Sequence, residues 1–154
     1  MSFFDAISIA ASGLTAERVR MDVTSENLAN ADTTQGANGQ PYQRQEVVLQ
    51  QVGGGFGAAL SGAMSAAVPG TSQVNGTAAG GVAVAGIVND PTPDQEVYDP
   101  GNPSANAQGY VKMPNVNPVN EMVDMIDESR SYESDVTAMS TAKEMYEKTL
   151  GLLK

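Results

Sequence analysis

Residues 117–154 read NPVNEMVDMIDESRSYESDVTAMSTAKEMYEKTLGLLK, and this stretch decides the fold. Asn117 is suited to cap a helix, and Pro118 stands at the first helical position, where its missing N–H is no loss. Glu121 and Asp124 follow and suit the positive end of the helix dipole. Val119, Met122, Ile126, Tyr132, Val136, Met139, Tyr146, Leu150 and Leu153 then mark one side at three- and four-residue steps, with Ala142 between. The spacing predicts a helix of about 35 residues, or about 50 Å. Such a helix lacks the apolar surface to stand alone in water and needs a partner helix, in the same chain or in a neighbour.

The other end of the chain offers one. Ser2 and Asp5 match a capping box, which starts a helix near Phe3. Ile7, Leu14, Met21 and Leu28 recur every seventh residue, and Phe4, Ala10, Ala11 and Ala31 fill the turns between them, giving a narrow seam for another helix. Asn30 reads as the stop, followed by a loop through Gly36 and Gly39 to Pro41. About 27 residues make a rod of about 40 Å. Ala6, Ser8, Ala10, Ala11, Ser12 and Gly13 are small enough to let a second helix approach closely. The methionines at 21, 122, 125, 139 and 145 suit contacts that must adapt to several neighbours.

All eight prolines lie from Pro41 to Pro118, which leaves both ends free of helix breakers and sets the middle apart. Tyr42 to Val52, Gly81 to Val88, Glu96 to Tyr98 and Gly109 to Met113 are strand candidates. Asp90-Pro91-Thr92-Pro93 and Asp99-Pro100-Gly101-Asn102-Pro103 between them are turns, because Pro presets φ and Asp or Asn caps the bend. Gln51 to Gly81 holds nine of the 16 glycines and has too little apolar surface to offset the entropy of ordering, so a flexible segment is expected there. The expected fold is mainly α with a small β-rich middle. Residues 1–35 and 117–154 would pair as a coiled-coil-like axial domain, and 36–116 would form the middle domain that contains the 51–81 segment.

Composition then narrows the function. Eight Lys and Arg against 18 Asp and Glu give a net charge of −10, which disfavours nucleic acid and anionic membranes as partners. With no His and no Cys, imidazole and thiolate chemistry is absent, and with it most zinc sites and nucleophilic triads. No apolar run reaches the length of a bilayer span, so direct membrane insertion is not expected. The N-terminus has no positive charge ahead of its apolar residues and does not read as a cleaved signal peptide. Asp124, Asp127 and Glu128 could supply carboxylates for acid–base work, but near a helix N-terminus they read as a solvated face. Asp90, Asp94, Glu96 and Asp99 lack the ligand spacing of a calcium loop and read as turn residues. Gly53 to Gly57 lacks the order of a nucleotide cradle. Lys143 and Lys148, beside Glu144 and Glu147, read as surface ion-pair partners. No enzyme, metal site or cofactor is expected.

Ser25-Glu26-Asn27-Leu28-Ala29-Asn30-Ala31-Asp32-Thr33-Thr34, followed by Pro41-Tyr42, resembles the N-terminal signature of the bacterial flagellar rod and hook proteins. Asp99-Pro100-Gly101, Gly109 through Asn117, and Glu121 through Ile126 with Ser129 through Glu133 resemble the proximal-rod members of that axial family. The resemblance covers nearly all of residues 1–50 and 82–154. It implies a structural subunit that stacks helically into a hollow drive shaft crossing the periplasm, with the terminal helices lining its inner layer. It also implies export through the flagellar type III apparatus without a cleaved signal. The implied partners are copies of itself, other rod proteins and the adaptor at the rod base. Carried onto this chain, the signature residues are Asn27, Ala29, Asn30, Thr34 and Tyr42. The seam residues Ile7, Leu14, Met21, Leu28, Met122, Ile126, Tyr132, Val136, Met139, Tyr146 and Leu150 would form the assembly interface. Asn102 stands where the family pattern leads one to expect His, and Ser134-Asp135 replaces a commoner Ala-Asn. From another class, the alternative is a soluble or secreted two-helix interaction module whose acidic surface binds a basic protein.

Overall fold

The computed structural model describes residues 3–36, 38–52 and 80–151. Among the described residues the elements in chain order are α1 (Phe3–Ala29), β1 (Gln45–Gln51), β2 (Val82–Asn89), β3 (Gln95–Tyr98), β4 (Tyr110–Met113) and α2 (Pro118–Gly151). The mainly helical fold with a small β middle is therefore the one expected, and the four strands fall within a residue or a few of their sequence-based positions. Residues 53–79, most of the Gly- and Ala-rich segment, lie outside the described residues, as do Ser2 of the capping box and Leu153 of the C-terminal stripe.

Helix boundaries follow the local chemistry. Asn117 Oδ1 accepts from Val119 N–H at 3.0 Å and from Asn120 N–H at 3.5 Å, so the side chain satisfies first-turn donors that have no partner inside the helix. At the end of α1, Asn30 N–H donates to Glu26 O, its side-chain amide donates to the same carbonyl at 2.9 Å, and Thr33 N–H returns to Asn30 O. Asn30 thus ties off the last carbonyls and turns the chain.

The chain divides into two compact units. The first comprises residues 1–16, 49–83 and 132–154. In it Val52 N–H donates to Gly81 O at 2.8 Å, and Val82 N–H donates to Ser12 Oγ at 3.0 Å. Gly13 of α1 faces Asp135 of α2 so closely that an added Cβ would stand 2.6 Å from Asp135 Oδ2.

The second unit comprises residues 17–48 and 84–131. Val23, Ala31, Val111 and Val116 form its buried apolar core, joined by the buried polar side chains Thr24, Asn27, Glu121 and Glu128. Asp90 N–H donates to Arg44 O at 2.8 Å, continuing the β1–β2 pairing beyond the strand ends. β3 and β4 pair antiparallel with Val97 opposite Val111 and Tyr98 opposite Tyr110, whose rings meet edge to face at 5.3 Å. The connecting loop is built from Asx turns: Asp99 Oδ1 accepts from Gly101 N–H, Asn102 Oδ1 from Ser104 N–H, and Asn106 Oδ1 from Gln108 and Tyr110 N–H. Asn102, the departure from the family pattern, therefore caps its own turn. Gly109 closes the loop at φ 83°, and a Cβ there would meet the Tyr98 ring at 2.9 Å.

Candidate functional site

α2 shelters one stripe of side chains: Glu121, Asp124, Met125, Glu128, Tyr132, Asp135, Met139 and Ala142 are buried or half-buried, and the rest of the described helix is exposed. Apart from the adjacent pair 124 and 125, these positions step by three and four, the spacing of one helix face. Four of the eight are acids. The solvated face expected at 124–128 is therefore corrected. Asp127 is exposed, but Glu128 is only 4% exposed and Glu121 only 1%.

Glu121, Asp124 and Glu128 are held because α1 and the segment leading into β1 in the same unit supply their partners. Asn27, 1% exposed, uses every hydrogen-bonding capacity of its amide. Its Nδ2 donates to Gln45 O at 2.9 Å and to Glu121 Oε2 at 3.0 Å, while its Oδ1 accepts from Gln45 N–H and Tyr42 O–H, both at 2.9 Å. The side chain thus pairs with the Gln45 backbone as a neighbouring strand would, and fixes where β1 begins relative to α1. Arg44 Nε donates to the other Glu121 oxygen at 2.6 Å. The same guanidinium bonds Glu46 and lies 3.6 Å from both Asp90 and Asp124. Arg44 N–H donates to Asn115 Oδ1 at 2.8 Å, so the loop before α2 is fastened to the same strand.

Charge shifts follow from this arrangement. Burial draws the Arg44 pKa down, but hydrogen bonding and attraction from Glu121, then Glu46, outweigh it and leave it raised. Burial raises the Tyr42 pKa, and the charges of Glu26 and Glu121 add to it, so the phenol stays a donor to Asn27. Two turns beyond Glu121, Glu128 Oε1 accepts from Thr24 Oγ1 at 3.0 Å and lies 3.5 Å from Arg20 Nε, while Oε2 is buried without a partner. Desolvation raises the Glu128 pKa against the opposing pull of Thr24 and Arg20. Asp90, capping a turn, has its pKa lowered by hydrogen bonds from the Thr92 hydroxyl and N–H.

The seam residues separate by face. Ile7, Leu14, Met21 and Leu28 are half-buried along α1, beside its deepest positions Ala16, Val23, Thr24 and Asn27. On α2, Tyr132 and Met139 lie in the sheltered stripe, whereas Met122 (46%), Ile126 (54%), Val136, Tyr146 and Leu150 are exposed. The single side read from the sequence is thus two faces. The six-residue step from Ile126 to Tyr132 is about one and two-thirds turns, which carries Tyr132 most of the way round the helix. Val119 (63%) and Val123 join Met122 and Ile126 in an exposed apolar ridge over the first turns of α2. Among the signature residues, Asn27 and Tyr42 bond to each other, Asn30 closes α1 with Thr33, Thr34 is half-buried and Ala29 is exposed.

Among the described residues no group of three acids is arranged to hold a metal ion, and no helix is long and apolar enough to cross a membrane. The arrangement is a polar clamp that fixes two helices and a strand, with an apolar ridge left outside. It is a scaffold for contacts.

The comparisons with known proteins give that scaffold its class. Residues 7–38 match the family described as Flagella basal body rod protein, and residues 107–152 match Flagellar basal body rod FlgEFG protein C-terminal. The chain is 46% identical over 158 residues to the flagellar basal-body rod protein FlgC of Bacillus subtilis (strain 168), covering all of both chains. It is 42% identical to FlgC of Escherichia coli O6:H1, over 99% of this chain and 98% of that one. It is 37% identical to FlgC of Borreliella burgdorferi, over 100% of this chain and 99% of that one. The chain belongs to the FlgC family of flagellar basal-body rod proteins. It is accordingly a structural subunit of the flagellar basal body that assembles with other rod components, and not an enzyme. The two-helix module binding a basic partner is not favoured.

Proposed function

We propose that the chain builds the proximal part of the rod, stacking helically with copies of itself and other rod proteins into a hollow shaft that crosses the periplasm and carries torque. In this reading residues 1–35 and 117–154 pair as the inner axial layer, and residues 36–116 face outward. The interface residues are Ile7, Leu14, Met21, Leu28, Met122, Ile126, Tyr132, Val136, Met139, Tyr146 and Leu150. The adaptor at the rod base is a partner, and the type III export apparatus delivers the subunit without cleavage of a signal.

The observation that carries the reading is the exposed ridge of Val119, Met122, Val123 and Ile126, in a chain that is aligned end to end with FlgC proteins. Four large apolar side chains on adjacent turns are left in water by a single subunit, and a packed neighbour would bury them at about 25 cal/mol per Å2. Stiffness then arises from multiplicity, because each helix packs on several neighbours. The test is mass spectrometry of purified basal bodies stripped of hook and filament. The chain is expected at a stoichiometric level. Its absence from otherwise intact rods would return the two-helix module to first place.

A further inference from the structure

We propose that Asn38 is a site of spontaneous deamidation, converting to isoaspartate and aspartate through its peptide bond to Gly39. The inference is independent of the rod reading and rests on the exposed turn between α1 and β1.

Asn38 is exposed and precedes an exposed glycine. Gly39 has φ 70°, and no heavy atom lies within 4 Å of where its Cβ would stand. With no side chain at residue 39 and open space where one would stand, nothing on residue 39 hinders the approach of its nitrogen to the Asn38 side-chain carbonyl carbon. In the reaction a solvent base takes the Gly39 amide proton and the nitrogen attacks Asn38 Cγ. The N–Cγ bond forms, the Cγ–Nδ2 bond breaks and ammonia leaves, giving a five-membered succinimide. Water then opens the ring. Opening at the backbone carbonyl gives isoaspartate, and opening at the side-chain carbonyl gives aspartate. One water is consumed, one ammonia is released and no electrons move.

The turn holds the reacting nitrogen by a single bond, from Gly39 N–H to Gly36 O at 2.9 Å. That bond must open for attack, and it joins two exposed residues, so water can take its place at little cost. Gly36 N–H to Gln40 O at 2.7 Å closes the tip, and Tyr42 N–H to Thr33 O at 3.1 Å closes its base. Several other described asparagines are protected by their surroundings, and the chain's second Asn-Gly pair, Asn75-Gly76, lies outside the described residues. Asn27 is buried with its amide fully bonded, and Asn106 and Asn115 have side chains engaged in turns or in strand fastening. Asn102 and Asn117 precede prolines, which carry no N–H to deprotonate.

Isoaspartate at 38 would insert one carbon into the backbone of the tip and add a negative charge to a chain already at −10. The two bonds at the tip would be lost. The Thr33–Tyr42 closure and the Tyr42–Asn27 bond lie below it and would remain.

The test incubates the folded full-length chain in mildly alkaline buffer, then digests it with trypsin. The peptide from Met21 to Arg44 contains Asn27, Asn30 and Asn38. It is expected to gain about 1 Da and to divide into two chromatographic species, with fragment ions placing the change at residue 38. Conversion should run within about threefold of the rate in the free peptide of the same sequence, because the turn offers little protection. Asn38→Ser should abolish the shift, and Gly39→Ala should slow it by about tenfold or more. An unchanged residue 38 in the folded chain while the free peptide converts would overturn the proposal, as would conversion at Asn27 or Asn30 instead.

Discussion

Truncating Asn27 to Ala would remove four hydrogen bonds at once and leave Glu121 Oε2, the Gln45 N–H and carbonyl, and the Tyr42 hydroxyl short of partners in a buried place. A cost of about 2–4 kcal/mol is expected, read as a lower midpoint in urea unfolding. Asn27→Asp should cost at least as much, because it turns a donor to Glu121 into a second negative charge. Glu128 carries a pH prediction. Its pKa is raised in the folded chain, chiefly by desolvation, so the folded state holds the proton more tightly than the unfolded state does. The resulting stability is complete below the unfolded pKa and is lost as pH rises through the folded one. Glu128→Gln keeps an acceptor for Thr24 and removes the buried charge. That variant should lose this part of the pH slope and should unfold at a higher urea concentration than the parent at neutral pH; a slope and midpoint unchanged from the parent would refute it. Asn27 and Tyr42 were legible in the sequence through a recognised signature, but the bond between them was not. Glu128 reads as a solvent-facing acid, and Glu121 only as a partner of the helix dipole, because what buries them is remote in sequence: Arg44 stands 77 positions from Glu121, and Thr24 stands 104 from Glu128. Local pattern reports the dipole of their own helix and nothing of the residues of α1 and of Arg44 that meet them.

Elements were legible where their cause is local. The Asn117-Pro118 start of α2 needs only a side-chain acceptor and a preset φ, and both act within three residues. Asn117→Ala should therefore cost about 1 kcal/mol, seen as a lower melting temperature in circular dichroism, with little change elsewhere. The turns at Asp90 and Asp99 were readable for the same reason, each built by one carboxylate accepting from a nearby N–H. Lys143 and Glu147 do pair, at 3.8 Å, but both are well exposed, and Lys143→Ala should change stability by less than about 0.5 kcal/mol. The apolar stripe of α2 was harder to read because two faces overlap in the linear pattern. Tyr132 and Met139 belong with Glu121 and Glu128, whereas Met122 and Ile126 do not. A rule that seeks apolar residues at helical spacing cannot select a sheltered face that is half acidic, since Glu121, Asp124 and Glu128 are made tolerable by Arg20, Thr24, Asn27 and Arg44 rather than by their own sequence neighbours.

For the whole molecule, the question is whether the residues that hold the subunit are the same as those that join subunits, and the two helices allow them to be told apart. Leu14 is half-buried on α1, so Leu14→Asp places a charge partly inside the folded chain and should weaken the subunit as well as any seam it makes. Ile126 is 54% exposed, on the ridge with Val119, Met122 and Val123, and away from the Glu121–Arg44 clamp. In an isolated subunit Ile126→Asp should therefore shift stability by no more than about 0.5 kcal/mol and leave the β3–β4 hairpin intact. In an assembly that buries the ridge, the same carboxylate would be taken out of water without a partner, at several kcal/mol per contact and repeated at every subunit. The expected outcome is a variant that unfolds in urea like the parent, keeps its amide spectrum in β3 and β4, and yet is absent from purified basal bodies. Normal incorporation of Ile126→Asp would remove the ridge from the interface and leave α1 as the side that meets neighbours. A loss of stability in the dilute chain equal to that of Leu14→Asp would instead show that Ile126 supports the subunit itself.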